Sequence, residues 1–132
     1  MNEPHDLAIA AAETVYTVLG GGYHESVYEK AMAVEFRDTV AEVEGFRYSV
    51  ERNVEIMYRD HAIGLQRLDF DIELDGFRLA VELKAGTRLT PSHKAQTRAY
   101  LRTTGYDGAV LINFPPDGTG VESCYIDGST AE

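Results

Sequence analysis

The chain has 132 residues, a hydrophobic fraction of 44% and a net charge of −10 at pH 7, which predicts a single globular domain over residues 1–132 with a sizeable core. The single cysteine, Cys124, excludes an internal disulfide and a cysteine-rich zinc site. No apolar run is long enough to cross a membrane and the N-terminus lacks a signal-peptide pattern, so we expect a cytoplasmic protein. The acidic charge predicts weak intrinsic affinity for nucleic acid, or a helper protein that supplies it.

Two helices are predicted before the first strand. Apolar residues at helical spacing predict the first helix over residues 4–19, with Asp6 as a candidate N-cap and Gly20-Gly21-Gly22 as its end. The second helix is predicted over residues 25–39, with Glu25 in its first turn. Its core-facing stripe is expected at Val27, Ala31 and Val34, and three larger side chains widen it: Tyr28, Met32 and Phe36.

The rest of the chain predicts strands around a third helix. Residues 46–58 indicate one strand with an irregularity near Asn53, and residues 63–74 a second strand after a turn at residues 59–61. Thr90 and Pro91 are typical of a helix start, and Gly105 of its end. Buried strands are predicted over residues 107–114 and 121–126. The order α-α-β-β-β-α-β-β predicts an α/β fold with a central mixed sheet flanked by helices.

The segment 67–84, RLDFDIELDGFRLAVELK, predicts a β-hairpin closed by Asp75-Gly76, because these residues tolerate the positive φ angles of a type I′ turn. In this register Asp69 lies opposite Glu82, and the alternation of side chains brings Asp71 and Lys84 to the same face. The opposite face is apolar throughout: Phe70, Ile72, Leu74, Phe77, Leu79, Val81 and Leu83.

Neighbouring carboxylates on one face of a sheet indicate a cation site. Asp69 and Glu82 destabilise each other unless a proton or a cation lies between them. Mg²⁺ suits a site with few carboxylates, where water and substrate phosphate supply the other ligands. Lys84 is then placed to orient a water molecule or to stabilise charge on a phosphate. The alternative is a hairpin whose polar face is merely solvated.

The third predicted helix carries His93, Gln96 and Tyr100 on one face, at positions i, i+3 and i+7. Taken singly, each residue fits a half-buried polar face against the sheet. Because they directly follow the Glu-x-Lys strand, they are also candidates for positioning substrate or water. The other histidines lack a partner at zinc-ligand spacing, so zinc is not expected: His5, His24 and His61.

The chain contains an Asp, a Glu-x-Lys triplet on the adjoining strand, and then a helix with Gln-x-x-x-Tyr. This order of motifs resembles the PD-(D/E)XK nuclease superfamily. Residues 22–28, GYHESVY, resemble the motif of the GxxExxY protein family, a small prokaryotic branch of that superfamily. The resemblance also includes VELKA at 81–85, LTPSHKAQTRAYL at 89–101 and LINF at 111–114, and it extends over essentially the whole chain. It implies a restriction-endonuclease-like core.

The resemblance also implies roles for individual residues. Asp69 and Glu82 match the metal-binding acids, with the Leu83 carbonyl as a further ligand, and Lys84 matches the catalytic lysine. Glu25 matches a helix-borne acid that approaches the metal. Three residues match substrate-positioning positions of the third helix: His93, Gln96 and Tyr100.

Two features depart from the family pattern. The hairpin is longer between the acid and the Glu-x-Lys triplet than the family leads us to expect. Asp71 stands at a usually apolar position and competes with Asp69 as a ligand, although the Asp75-Gly76 register favours Asp69.

The sequence therefore predicts a Mg²⁺- or Mn²⁺-dependent nuclease that hydrolyses phosphodiester bonds, with DNA favoured over RNA as its partner and with a homodimer or a helper protein as further candidates. Two alternatives stay open. One is a non-catalytic nucleic-acid-associated or regulatory module that keeps the nuclease fold, which the acidic charge favours. The other is a metal-dependent enzyme that acts on a small phosphorylated substrate.

Overall fold

The computed structural model describes residues 3–130, and within them the predicted order of three helices and five strands is confirmed. The bounds are α1 Pro4–Leu19, α2 Glu25–Glu42, β1 Arg47–Tyr58, β2 His61–Leu74, β3 Phe77–Lys84, α3 Pro91–Thr104, β4 Gly108–Asn113 and β5 Glu122–Asp127. A short 3₁₀ turn follows β5. The chain therefore forms an α/β fold with a mixed sheet flanked by helices, as the sequence predicts. None of the helices within residues 3–130 has the length and apolarity needed to span a membrane.

The five strands form one sheet in the order β1-β2-β3-β4-β5. The pair β3–β4 is parallel and is connected through α3, and the other neighbouring pairs are antiparallel. A parallel pair requires such a crossover, whereas antiparallel neighbours need only a turn. The first helices, α1 and α2, pack on one face of the sheet over the larger apolar cluster. The third helix, α3, packs on the other face over a smaller cluster that contains Leu68, Ala80 and Tyr100.

The hairpin predicted at Asp75-Gly76 is confirmed. Both residues have positive φ angles, 54° and 80°, and the pairs include Phe70 with Val81 and Leu74 with Phe77. The face predicted to be apolar packs entirely in or against the larger cluster. The register that brings Asp69 towards Glu82 is therefore present.

Along β2, the regular alternation of side chains between the two faces of the sheet is interrupted at Asp69. Leu68 packs in the cluster under α3, whereas Phe70 packs in the cluster under α1 and α2, although the two residues are only two positions apart. On the neighbouring strand Glu51 has a φ of 50°, and a bulge lies between Ile56 and Met57. Such irregularities increase the local twist of a strand pair. The irregularity predicted near Asn53 thus lies on both sides of that residue, and the distal halves of β1 and β2 form a two-stranded arm.

The prediction for the buried face of α2 is wrong in part. Val27 and Val34 are 36% and 46% exposed, while Tyr28, Met32 and Phe36 are fully buried. Tyr28 stacks on Phe114 with ring centroids 4.3 Å apart, and Phe36 meets Phe70 edge-on at 4.9 Å. Large aromatic side chains remove more apolar area from water than valine does, so they decide which face of the helix is buried.

The loop between α1 and α2 fixes where α2 begins. The hydroxyl of Tyr28 donates a hydrogen bond to the Gly20 carbonyl at 2.7 Å, and that of Tyr16 donates to the Pro115 carbonyl. A Cβ on Gly21 would lie 2.5 Å from the Pro115 oxygen, so only glycine allows this approach. The start of α2 is therefore held against the end of β4. The predicted N-cap Asp6 is wrong: the N-cap of α1 is Glu3, and Asp6 lies in the first turn.

Candidate active site

Asp69 lies where β2 separates from β3, and both oxygens of its carboxylate are hydrogen-bonded. Oδ2 accepts from the backbone N–H of Leu83 at 2.7 Å, and Oδ1 accepts from Nη1 of Arg67 at 2.6 Å. The side chain of Asp69 thus takes the place of a backbone acceptor in the β2–β3 ladder. With a residue exposure of only 3%, the carboxylate is held rigidly at this fork.

Glu82 faces Asp69 across the fork. Burial first, and then the charge of Asp69, raise the pKa of Glu82 from 4.5 to about 8, while Lys84 acts in the opposite direction. Within the described part of the chain, the Glu82 Oε1 atom is buried without a hydrogen-bond partner. A buried carboxyl in this state requires a proton or a cation.

Two acids on α2 complete the acidic side of the site. Glu25 and Glu29 lie one turn apart, and burial, followed by the charge of Asp69, raises the pKa of each. Arg67 joins this group, because its Nη2 atom lies 3.1 Å from Oε1 of Glu29 and 3.4 Å from Oε1 of Glu51. Glu25 is thus close enough to Asp69 for their charges to interact.

Arg67 and Glu29 are the two site residues that the sequence reasoning missed. The sequence contains one signal for each of them, which is its spacing from a predicted site residue. Arg67 precedes Asp69 by two positions on a strand, and Glu29 follows Glu25 by four on a helix, so each shares a face with a predicted residue. With Lys84, Arg67 supplies the positive charge of the site, and the carboxyl groups outnumber the basic groups.

The wall contributed by α3 contains the three residues predicted there. His93, Gln96 and Tyr100 line a pocket together with Glu82 and Lys84. His93 also has a structural role, since its Nδ1 accepts from the Thr90 N–H at 3.2 Å and its own N–H donates to Thr90 Oγ1 at 3.1 Å, which forms a capping box.

Tyr100 presents a hydroxyl group to this pocket. The residue is 5% exposed, and its hydroxyl has no hydrogen-bond partner among residues 3–130. Burial, followed by the charge of Glu82, raises the pKa of Tyr100. The hydroxyl therefore stays protonated at neutral pH and is available as a hydrogen-bond donor.

Asp71 does not join the other acids, contrary to the expectation that three carboxylates and Lys84 share one patch. Its Oδ2 atom lies 3.1 Å from Nη1 of Arg52 and 3.7 Å from Nη2 of Arg78. Because alternation fails at Asp69, the two aspartates have different surroundings. The two arginines supply positive charge to Asp71 in place of a cation, although its buried Oδ1 atom, like Oε1 of Glu82, lacks a hydrogen-bond partner among the described residues.

The carboxylate oxygens of Asp69 and Glu82 suit a divalent cation that is bound by few protein ligands. No group of three or more His, Cys, Asp or Glu side chains within the described range is arranged as a ready metal site. Asp69 and Glu82 nevertheless form a close acidic pair with an unpartnered oxygen on Glu82. Mg²⁺ is commonly bound through one or two carboxylates, with water and phosphate oxygens as further ligands. Glu25 is a further acid whose charge interacts with both Asp69 and Glu82.

The shifted pKa of Glu82 predicts a measurable pH dependence of stability in EDTA. Between pH 4.5 and about pH 8 the folded protein holds a proton on Glu82 that the unfolded chain has released. The contribution of Glu82 to the free energy of unfolding therefore falls as the pH rises through this window. Glu82→Gln removes this titration. We expect its stability relative to wild type to increase with pH in urea denaturation series, and a pH-independent difference would contradict the shift.

The fold and the site together define a class of protein. An acidic pair and a lysine lie at the fork of a mixed α/β sheet, with two acids on a flanking helix. A family model described as the PD-(D/E)XK nuclease superfamily matches residues 2–123, and the chain belongs to this superfamily. Its members generally hydrolyse nucleic acids and typically use divalent metal ions.

Two further comparisons concern curated proteins and solved structures. Comparison with curated proteins gives no match. Thirteen chains among the solved structures match, and one of them is titled "Crystal structure of SSO0001". This chain is 18% identical to it with a TM-score of 0.49, and the alignment covers 99% of this chain and 73% of that chain.

Proposed function

We propose that this protein is a metal-dependent nuclease that hydrolyses phosphodiester bonds of nucleic acid, with DNA as the favoured substrate. The observation that carries the proposal is the buried Glu82 carboxyl, which has an unpartnered oxygen beside Asp69 and near Lys84. Membership of the superfamily supports the same chemistry. We further propose that residues 1–132 form one nuclease domain of the GxxExxY branch, on the basis of the motif at residues 22–28.

Asp69, Glu82 and Glu25 would hold Mg²⁺ or Mn²⁺. When bound, such an ion neutralises phosphate charge and lowers the pKa of water. The hydrogen bonds from Leu83 and Arg67 keep the Asp69 carboxylate in one orientation before any ion arrives. This preorganisation limits the reorganisation needed on binding.

Lys84 and the α3 wall would act on the substrate. The Lys84 side chain lines the same pocket as Glu82, so its ammonium group can stabilise the negative charge that grows on the phosphate as water attacks. Gln96 and the protonated hydroxyl of Tyr100 can donate hydrogen bonds to the strand and fix its position. In hydrolysis the water oxygen forms a bond to phosphorus and loses a proton, the bond to the leaving oxygen breaks, and that oxygen gains a proton, so that no net proton is consumed.

The test is cleavage by the purified wild-type protein on a panel of single-stranded DNA, duplex DNA, RNA and nucleotides, with Mn²⁺ and with EDTA. The proposal predicts products from a polynucleotide with Mn²⁺ and none with EDTA. Hydrolysis confined to the nucleotides would instead support an enzyme of small phosphorylated substrates. A wild-type protein that leaves the whole panel intact would contradict the proposal.

A second candidate is a non-catalytic nucleic-acid-associated module. Two observations favour it: the net charge of −10, and the engagement of both Asp69 oxygens by Leu83 and Arg67 without an ion. Calorimetric titration with Mn²⁺ separates the candidates, because a scaffold has no need of a cation at Asp69 and Glu82. The nuclease predicts one saturable site that Asp69→Asn removes.

A further inference from the structure

A groove lies between α3 and the two-stranded arm of β1 and β2, next to the candidate active site. We call it the side groove. It encloses about 480 Å³, a volume within the usual range for small-ligand sites. The residues that matter for its chemistry are Ile56, Gln66, Gln96, Ala99, Tyr100 and Arg102.

The side groove adjoins the candidate active site. Gln66, Gln96 and Tyr100 line both the side groove and the pocket that contains Glu82 and Lys84. A substrate whose phosphate lies at Glu82 and Lys84 would therefore direct the adjoining chemical group into the side groove. In a polynucleotide that group is a nucleoside.

The lining of the side groove combines apolar walls with hydrogen-bonding groups. Ile56 and Ala99 supply apolar surface from the arm and from α3, while Gln66 and Gln96 supply amides. Tyr100 lines both spaces, and its buried hydroxyl lacks a hydrogen-bond partner within the described residues. A flat heteroaromatic ring with polar edges matches this combination, since amides pair with base edges and apolar walls cover base faces.

We infer that the side groove binds an unpaired nucleobase next to the scissile phosphate, and that the substrate is a single-stranded polynucleotide. This inference rests on the proposed nuclease function. In a duplex, stacking covers the faces of a base and pairing covers its Watson–Crick edge, so a lateral groove cannot receive it.

The charge of the protein favours the same substrate. Duplex binding depends mainly on neutralising phosphates with basic residues, and this chain has 12 basic against 22 acidic residues. In single-strand binding, contacts to exposed bases add affinity beyond the neutralisation of phosphates, so a smaller share of the affinity comes from basic residues.

The experiment measures binding separately from cleavage. Fluorescence anisotropy with Ca²⁺ in place of Mn²⁺ compares a labelled oligothymidylate with a blunt duplex of equal length. Wild type is expected to bind the single strand more tightly. Ala99→Leu places a larger side chain in the side groove and is expected to weaken single-strand binding about tenfold.

The matched control is Ala95→Leu, the same substitution at an exposed residue one turn earlier on α3 that does not line the groove; it is expected to bind as wild type. Gln66→Leu provides a second test, because it removes an amide with little change in size, and a severalfold loss is expected. Thermal unfolding of each variant monitors folding.

Two results would overturn the inference: a wild-type protein that binds the duplex as tightly as the single strand, or folded Ala99→Leu and Gln66→Leu variants that both bind as wild type. Failure of the proposed nuclease function would be detected separately, as an absence of cleavage with Mn²⁺. Single-strand binding that depends on the groove without cleavage supports the inference and rejects the nuclease. Cleavage of duplex DNA without a preference for single-stranded DNA supports the nuclease and rejects the inference.

Discussion

Glu82→Gln is expected to lower the rate of Mn²⁺-dependent cleavage by about a hundredfold or more, with the fold intact. The amide has the size of the protonated carboxyl that Glu82 carries in the metal-free protein at neutral pH, because its pKa is raised to about 8. It cannot supply the negative charge that holds a divalent cation beside Asp69. Initial rates on a labelled oligonucleotide measure the loss, and calorimetry is expected to show weaker Mn²⁺ binding.

Glu55→Gln is the matched control for this substitution. Glu55 is exposed on β1 and lies away from the fork, so the same chemical change there is expected to leave cleavage unaltered. Wild-type rates in the folded Glu82→Gln variant would show that the acidic pair is not the catalytic centre.

Lys84→Gln is expected to lower cleavage by a similar factor, about a hundredfold to a thousandfold, with Mn²⁺ binding retained. The ammonium group of Lys84 stabilises charge that develops on the phosphate. It also lies close enough to Glu82 and Glu25 to lower their pKa values. Removing a positive charge from this position therefore leaves metal affinity unchanged or higher, which separates the role of Lys84 from that of the acids.

The control for Lys84→Gln is Lys30→Gln, an exposed lysine of α2. It tests whether the loss of any single positive charge on this acidic protein reduces cleavage. Two results would contradict the assigned role of Lys84: equal losses in both variants, or a loss of Mn²⁺ binding in Lys84→Gln.

Local chemistry in the sequence was sufficient to predict the framework of the site. The Asp75-Gly76 turn sets the β2–β3 register because only residues that tolerate positive φ fit it, and the pairing of Phe70 with Val81 follows. Thr90 and Pro91 define the start of α3 for equally local reasons, and the Thr90 hydroxyl accepts the expected hydrogen bond from His93.

Features that depend on tertiary packing were not predictable in the same way. Apolar spacing predicts a buried stripe at Val27, Ala31 and Val34, widened by Tyr28, Met32 and Phe36. Spacing alone does not reveal that Val27 and Val34 stay exposed while Phe36 meets Phe70. Asp71 was grouped with Asp69, because alternation assumes a regular strand and cannot foresee the change at Asp69 opposite Glu51.

The ion pair of Arg67 with Glu29 is a further case. It joins residues 38 positions apart, on a strand and a helix whose crossing the sequence does not specify. Spacing placed each of them beside a predicted site residue, but only the packing of α2 on β2 brings the two together. This contact contributes to holding Asp69 in place, since Arg67 binds both acids.

The central claim is that Asp69 and Glu82 share one divalent cation. Anomalous diffraction from Mn²⁺-soaked crystals tests it most directly. The account predicts one strong peak within about 2.0–2.3 Å of a carboxylate oxygen of each residue, and its loss in Glu82→Gln crystals. A peak bound only by Glu29 and Glu51, or no peak at the fork at saturating Mn²⁺, would contradict the claim.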